Sequence, residues 1–215
     1  MDERPVTPQW LQWARQIQAQ GQNGLAYNDN VYDRQRYRQM LVLAAEIVAR
    51  HTDLDEQAVL NGFSQQVGYA TPKVGVRGAV IRGQDEPQVL LVQERIDGRW
   101  CLPGGWADVG QSPSEMVVRE VREESGIEVR ARKLIAVYDA NRNNPEKPLA
   151  FYHAYKMVFL CDELGGSVQP GEETLDAAFF PFDNLPPLSR DRTNERVLQE
   201  VRAHIADPAR PAAFD

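Results

Sequence analysis

The stretch from Ser112 to Gly126 constrains the fold more than any other part of this 215-residue chain. It opens with Ser-Pro-Ser-Glu, in which the first serine can cap free N–H groups, proline suits the first helical position and the glutamate can return a hydrogen bond. Three valines give the stretch an apolar side, and Gly126 is a natural C-terminal stop. The pattern predicts an amphipathic helix over residues 113–125.

The polar side of this helix carries three carboxylates. Glu120, Glu123 and Glu124 stand at i, i+3 and i+4 and share one face, which is typical of a solvated, salt-bridged surface. Arg119 can orient Glu123, but one arginine cannot neutralise three carboxylates, whereas a hard divalent cation can. The carbonyl of Gly104, in the preceding LPGGW segment, is a further candidate ligand because paired glycines leave the backbone bare. The sequence favours a divalent metal site.

The residues before this helix predict a small helical domain at positions 1–68. Polar residues, glycine and Pro72 interrupt the helical periodicity in residues 64–73, where we place the domain boundary. The helix signals are a Thr7-Pro8 start with stops at Gly21 and Gly24, a second start at Asn30 or Asp33, and an Asp53/Glu56 capping box closed by Gly62.

Residues 69–215 alternate strand and helix signals, which predicts an α/β domain with a mixed sheet. Aliphatic or alternating runs indicate the strands, and the second helix of this domain is expected near residues 193–205. The predicted strands are Val74–Ile81, Val89–Glu94, Ile135–Tyr138 and Phe151–Leu160.

Composition narrows the function classes. The formal net charge of −7 argues against nucleic acid and against anionic lipid as partners. Cys101 and Cys161 form no zinc or disulfide pattern, and no GxxxxGK[ST] phosphate loop is present. The MDERP start lacks a signal peptide, and no apolar run approaches the roughly 20 residues that span a bilayer. We therefore expect a cytoplasmic protein with no membrane partner.

Gly105 together with residues 119–127, REVREESGI, resembles the Nudix box, G-x5-E-x7-R-E-U-x-E-E-x-G-U with U aliphatic. The one departure is Gln111, where the family has glutamate. Glutamine keeps the size but not the charge, so we interpret it as a modulator of rate or metal preference. The segments GLAY at 24–27 and YDRQRY at 32–37 resemble the helical N-terminal domain of Nudix hydrolases of X-linked nucleoside diphosphates.

The resemblance implies a Nudix α/β/α sandwich with a mixed sheet, preceded by a small all-helical N-terminal domain. It also implies metal-dependent hydrolysis, with Mg²⁺ or Mn²⁺, of a nucleoside diphosphate linked to a small moiety; ADP-ribose and CDP-choline are the favoured substrates. The alternative is a catalytically weak nucleotide-sensing module, which Gln111 alone supports. A homodimer is expected because the helical domain is too small to bury its aromatic residues alone.

By the same resemblance, Glu120 and Glu124 are the principal metal ligands, and Glu123 and the Gly104 carbonyl complete the ligand cluster. Arg119 orients the carboxylates. With the metal, these residues form the predicted catalytic centre.

Further candidates lie outside the box. Family members often take one more carboxylate from a later loop, and Glu173 fits that spacing, as metal ligand, general base or ordinary solvated acid. Arg77 lies in an apolar strand, where its charge needs either Glu94 on the neighbouring strand or a substrate phosphate. His153 is either a packed histidine or a weaker substrate-binding candidate.

Overall fold

A computed structural model describes residues 7–143 and 152–215, which divide into two compact units. The described part of the first unit comprises residues 7–72 and 152–153, and that of the second comprises 73–143 and 154–215. Among the described residues, no helix is both long and apolar enough to cross a bilayer.

The first unit is built on three helices, α1 (Gln9–Tyr27), α2 (Val31–His51) and α3 (Glu56–Ser64). Alanine and valine side chains form most of its core, which allows the helices to approach closely. The buried core residues are Ala14, Ala44, Ala45, Val48, Val59 and Phe63.

Gly21 and Gly24 do not end α1, so that prediction was wrong. The helix continues to Tyr27, and both glycines lie where it meets α2. A Cβ at Gly24 would stand 2.3 Å from the ring of Tyr37, and one at Gly21 would stand 2.9 Å from the side chain of Leu41. The glycines are therefore packing positions rather than stops.

The helix starts were predicted with mixed success. Asn30 caps α2 by accepting from the N–H groups of residues 32 and 33, which confirms one of the two predicted starts. Asp55, not Asp53, caps α3 and accepts from the Ala58 N–H at 2.9 Å. Gly62 lies inside α3 rather than at its end.

The second unit contains a mixed sheet in the order β3-β2-β1-β5-β4-β7, with β6 antiparallel to β2. The β1–β5 and β4–β7 pairs are parallel, and the other pairs are antiparallel. The strands are β1 (Lys73–Arg82), β2 (Gln88–Glu94), β3 (Trp100–Cys101), β4 (Ile127–Asp139), β5 (Ala154–Gly166), β6 (Thr174–Pro181) and β7 (Ala213–Phe214).

The helices of this unit are α4 (Pro113–Ser125), the short α5 (Ala140–Asn143) and α6 (Glu195–Ala206). All four predicted strands are present, but two starts were wrong. The strand β4 begins at Ile127 rather than Ile135, and β5 begins at Ala154 rather than Phe151, which lies outside the described residues. The predictions missed β3, β6 and β7. Two of these strands have only two residues, too few to show alternation.

Two helices cover opposite faces of the sheet and complete an α/β/α sandwich. One core layer joins α4 to the sheet through Met116, Val117, Val121, Val76, Val80 and Phe159. The other joins α6 to the sheet through Val197, Leu198, Val201, Ala79, Leu91 and Tyr138. The predicted fold class is confirmed. Successive β1 residues alternate between the two layers, as strand geometry requires.

Gly78 on β1 provides a test of the α4 contact. A Cβ there would stand 2.5 Å from a methyl group of Val121 and 3.0 Å from one of Val117. We expect Gly78→Ala to lower the free energy of unfolding by about 1 to 3 kcal/mol because the tight contact becomes overpacked. Urea denaturation measures this change.

The matched control is Gly165→Ala in β5, where the nearest atom to an added Cβ is a Glu128 carboxylate oxygen 3.8 Å away. That variant should change stability by less than about 1 kcal/mol. Equal losses in the two variants would contradict the assigned contact between Gly78 and α4.

Candidate active site

The α4 helix is held at both ends by the contacts that the sequence predicts. The Ser112 hydroxyl accepts from the Glu115 N–H at 3.3 Å, while the Glu115 carboxylate accepts from the Ser112 N–H at 2.8 Å. Gly126 ends the helix in a left-handed conformation, with φ of 72°. These caps fix the start and the end of the helix that carries the three carboxylates.

The glycine pair before α4 lies against β1. The Val76 N–H donates to the Gly105 carbonyl and the Gly78 N–H donates to the Pro103 carbonyl, each at 2.9 Å. Gly104 has φ of 145°, and a Cβ there would stand 2.1 Å from the Val76 carbonyl oxygen. Only glycine fits at this position.

Glu124 is the most buried of the three carboxylates, at 8% exposure. It accepts a hydrogen bond from the Gly104 N–H at 2.7 Å. Burial raises the pKa of Glu124 to about 7, against the opposing effects of the Arg77 charge and the Gly104 N–H. The nearby Glu120 charge raises this pKa further. Glu124 is thus a desolvated acid close to a second one.

Glu120 faces the same glycine pair. Its carboxylate would stand 2.8 Å from a Cβ added to Gly105, and its side chain is 14% exposed. Burial raises the pKa of Glu120, partly opposed by Arg119 at 3.3 Å. Glu123 differs, because its side chain is 53% exposed and lies 3.8 Å from Arg119. The structure therefore groups Glu120 with Glu124 and leaves Glu123 at the solvent side.

Arg119 makes its shortest ion pair with Asp108, at 2.6 Å, and also reaches Glu120 and Glu123. Asp108 was not among the predicted site residues. It lies between the glycine pair and α4 in the chain, so it links the loop to the helix through Arg119. In the sequence, Asp108 is one acid in a short glycine-rich loop, and nothing in that pattern predicted its ion pair with Arg119.

A divalent cation fits the donor chemistry of this site. Within residues 7–143 and 152–215, no group of three His, Cys, Asp or Glu side chains already converges on one point. Glu120 and Glu124 nevertheless supply hard oxygen donors beside the bare backbone of Gly104, and the pKa values of both carboxyls are raised by burial. Mg²⁺ and Mn²⁺ prefer such donors and would offset the uncompensated charge.

The loop that carries Glu173 contacts the end of α4. The Gly171 N–H and the Thr174 hydroxyl both donate to the Glu124 carbonyl, at 3.3 and 3.0 Å. The Glu173 side chain is exposed. Its role as metal ligand or general base stays a prediction.

Arg77 and Glu94 do not pair with each other. Glu94 instead binds Arg192 at 2.8 Å and accepts from the Cys101 thiol at 3.1 Å. Two guanidinium nitrogens of Arg77, Nε and Nη1, are buried without a hydrogen-bond partner in the part of the chain that the structure describes. The predicted ion pair between Arg77 and Glu94 was therefore wrong.

His153 precedes β5 and groups with the first unit. There it lines a cavity together with Ala14, Gln18 and Phe63. The predicted strand position was incorrect, and the substrate-binding role of His153 stays a prediction.

Lys156 is a charged residue that sequence analysis overlooked. It lies in β5, and burial, together with the positive charge of Arg77, lowers the pKa of Lys156 to about 7. The available signal was a lone lysine in the otherwise apolar run of that strand, the same signal that singled out Arg77.

Comparison with known families places these residues in context. The NUDIX domain model matches residues 71–201, which include the glycine pair, α4 and the strands around them. The chain belongs to the Nudix family. Residues 8–63 match a second model, described as a UDP-X-like N-terminal oligomerisation domain. The protein is a Nudix hydrolase with this helical domain in front.

Relatives match over most of the chain. A Bacillus subtilis protein, YjhB, named as a candidate ADP-ribose pyrophosphatase, is 41% identical over 98% of this chain and 99% of its own length. The crystal structure of a UDP-X diphosphatase is 30% identical, with a TM-score of 0.60, and covers 96% of this chain and 98% of its own. An ADP-ribose pyrophosphatase structure from Streptococcus suis is 39% identical, with a TM-score of 0.58, over 67% and 100% of the two chains.

The Glu124 carboxylate should destabilise the folded, metal-free Nudix protein at neutral pH. Its folded pKa of about 7 exceeds the ordinary value of 4.5, so the folded state binds more protons between those values and stability falls as pH rises through that window. We expect Glu124→Gln, measured by thermal unfolding in EDTA, to be more stable than wild type by about 2 kcal/mol at pH 8.

This difference should shrink as pH falls toward 4.5. Glu123→Gln on the same helix is the matched control, because its exposed carboxylate should give no comparable gain. A pH-independent difference between Glu124→Gln and wild type would contradict the buried-acid assignment.

Proposed function

We propose that this Nudix hydrolase cleaves the diphosphate linkage of a nucleoside diphosphate joined to a small moiety. The observation that carries the proposal is the pair formed by the buried Glu124 and the partly buried Glu120 beside the bare backbone of Gly104 and Gly105. ADP-ribose is the favoured substrate, because two similar proteins are named for that activity. CDP-choline is the second candidate, and the UDP-X diphosphatase likeness supports the wider class of X-linked nucleoside diphosphates.

We further propose that Glu120 and Glu124 hold Mg²⁺ or Mn²⁺ together with the Gly104 carbonyl, and that Glu123 completes the set. A bound cation would neutralise phosphate oxygens and lower the pKa of an attacking water. For Gly104 to act in this way, its N–H would hold Glu124 in place while its carbonyl serves as a ligand. Glu123 would have to turn inward from its exposed position.

The remaining residues act on orientation and charge. Arg119, fixed by Asp108, holds Glu120 in its direction. Arg77 is the proposed phosphate-binding cation, since its buried nitrogens lack a protein partner in the described chain. Glu94 supports substrate binding by holding Arg192. Glu173 is the proposed general base, on the loop bound to the end of α4.

The nucleotide-sensing alternative depends on Gln111. This residue is exposed and directly precedes the Ser112 cap, whereas Glu120 and Glu124 both lie against the glycine pair. We therefore favour the enzyme. We also assign it to the cytoplasm, in keeping with two buried cysteines that form no disulfide.

Activity should depend on the carboxylate pair. We expect Glu120→Gln and Glu124→Gln to lower kcat on ADP-ribose by at least about 100-fold, because transition-state charge on the phosphate loses its stabilisation. Chromatographic detection of AMP and ribose 5-phosphate, with Mg²⁺ or Mn²⁺ and with EDTA, measures the reaction.

Glu128→Gln, which changes an exposed carboxylate at the start of β4, is the control and should keep wild-type turnover. CDP-choline and a UDP-sugar run under the same conditions test the substrate assignment. Near-wild-type turnover by both Glu120→Gln and Glu124→Gln would contradict the catalytic assignment. Faster turnover of either alternative substrate would overturn the preference for ADP-ribose.

We propose a homodimer formed through the helical unit. Several large apolar side chains of this unit are exposed, including Trp13 at 56% and Leu43 at 49%. Its residues 8–63 match a domain described as an oligomerisation domain. Exposed apolar groups of this kind mark association surfaces.

Sedimentation at micromolar concentration should therefore give twice the mass of one chain. Trp13→Lys should shift the mass toward one chain because burying a lysine at an apolar interface is costly. Ile96→Lys, at an exposed apolar residue of the second unit, is the control and should leave the mass unchanged. A wild-type protein that sediments as a single chain would contradict the dimer.

A further inference from the structure

Lys156 lies in a row of residues that crosses the sheet beside the active-site loop. It is paired in register with Gly75 of β1 on one side and Tyr138 of β4 on the other. Gly75 in turn bridges to Trp106, which directly follows the glycine pair and is 49% exposed. Since residues in register share a face, the side chains of Trp106, Lys156 and Tyr138 lie on the α6 side of the sheet.

Two backbone carbonyls hold the Lys156 ammonium group in place. Its Nζ donates to the carbonyl oxygens of Asp191 and Arg192. Within residues 7–143 and 152–215, no carboxylate forms an ion pair with it. Carbonyl dipoles fix the position of the ammonium group, and the nearby Asp191 charge only partly offsets the burial and the Arg77 charge that act against its charged form.

Arg77 lies on the same face of β1, two residues after Gly75. Its Nε and Nη1 are buried without a hydrogen-bond partner in the described chain, while the nearby Glu94 is already bound to Arg192. The positive charge of Arg77 contributes to the lowered pKa of Lys156, so the two cations are close enough to repel. Two neighbouring cations, one of which has buried nitrogens without a partner in the described chain, favour a bound anion.

The position of Arg77 relative to the carboxylates indicates which anion it would bind. Arg77 lies beside the glycine pair, because a Cβ on Gly104 would stand 2.9 Å from the Arg77 Cα. The charge of Arg77 also acts on Glu124 and Glu120. An anion held by Arg77 would therefore be next to the proposed metal ligands, where the diphosphate of the substrate must lie.

We propose that Lys156 and Arg77 together bind one phosphate group of the substrate's diphosphate. This inference rests on the proposed function. Arg77 offers the geometry of a guanidinium fork and Lys156 adds a point charge, a combination suited to phosphate. Lys156 binds and positions the phosphate and takes no part in the proton transfers.

Binding of inorganic pyrophosphate to the metal-free protein tests the proposal without any turnover. Isothermal titration calorimetry in EDTA should show Lys156→Met weakening the affinity roughly 10- to 100-fold, the loss expected for one charge-assisted hydrogen bond. Lys156→Arg should recover part of that loss because it keeps a cation in place.

Lys133→Met is the matched control. The Lys133 Nζ also donates to two backbone carbonyls, those of Pro208 and Arg210, at 2.8 and 2.6 Å. Its loss therefore removes the same kind of structural contact elsewhere in the domain, and pyrophosphate affinity should stay at the wild-type value. Equal weakening by the two Met variants, or none in Lys156→Met, would overturn the proposal.

Two further measurements are needed. The first uses the wild-type protein and so does not depend on the folding of Lys156→Met, and the second tests whether the phosphate bound by Lys156 is that of the substrate. In the wild-type protein, pyrophosphate should protect Lys156 but not Lys133 from acetylation by acetic anhydride, followed by mass spectrometry. With ADP-ribose, KM of Lys156→Met should rise by the same fold as the pyrophosphate Kd, while kcat changes much less. Absent protection, or a KM unchanged while pyrophosphate binding is lost, would show that Lys156 does not bind the substrate's diphosphate.

The two proposals can fail independently. Pyrophosphate binding and acetylation need neither metal nor hydrolysis, so inactivity toward ADP-ribose would leave the anion site standing and remove only the proposed function. Conversely, full activity with no effect of Lys156→Met on binding or KM would remove only the Lys156 assignment.

Discussion

The contact between the Gly104 N–H and the Glu124 carboxylate is the interaction on which the rest of the site depends. It requires the loop to lie directly on β1. This is possible only because residue 104 is glycine, since a Cβ there would clash with the Val76 carbonyl. It also requires α4 to be long enough to bring its last turn to the loop. The glycine pair and the caps of α4 therefore act as one geometric unit.

This unit costs folding energy because it buries a carboxylate that has no full counter-charge. The pKa of Glu124 rises to about 7 for this reason, with Arg77 and the Gly104 N–H only partly opposing the effect of burial. If both acids were solvated, the metal-free protein would be more stable, but binding of a divalent cation would stabilise it less. The burial is consistent with a site whose stability depends on its ligand.

The sequence predicted the parts of this site that depend on local chemistry. The capping box and Gly126 located α4 because cap contacts involve residues only a few positions apart. The separation of Glu123 from Glu120 and Glu124 was not predictable, because all three share a helical face and only the distant glycine pair selects between them. Gly21 was misread for the same reason: a glycine that ends a helix and one that packs against another helix look alike until the partner is known.

The residues on the α6 side of the sheet show the same dependence on long-range pairing. Lys156 and Arg77 each stand out in the sequence as a cation in an apolar strand, but nothing local connects them. The parallel register of β1 and β5 brings them to one face, with Val158 opposite Arg77 and Lys156 opposite Gly75. A slip of one residue would turn Lys156 toward α4 and put an apolar side chain in its place. The register of this strand pair, rather than any motif, therefore decides which charges can reach a diphosphate held at the glycine pair.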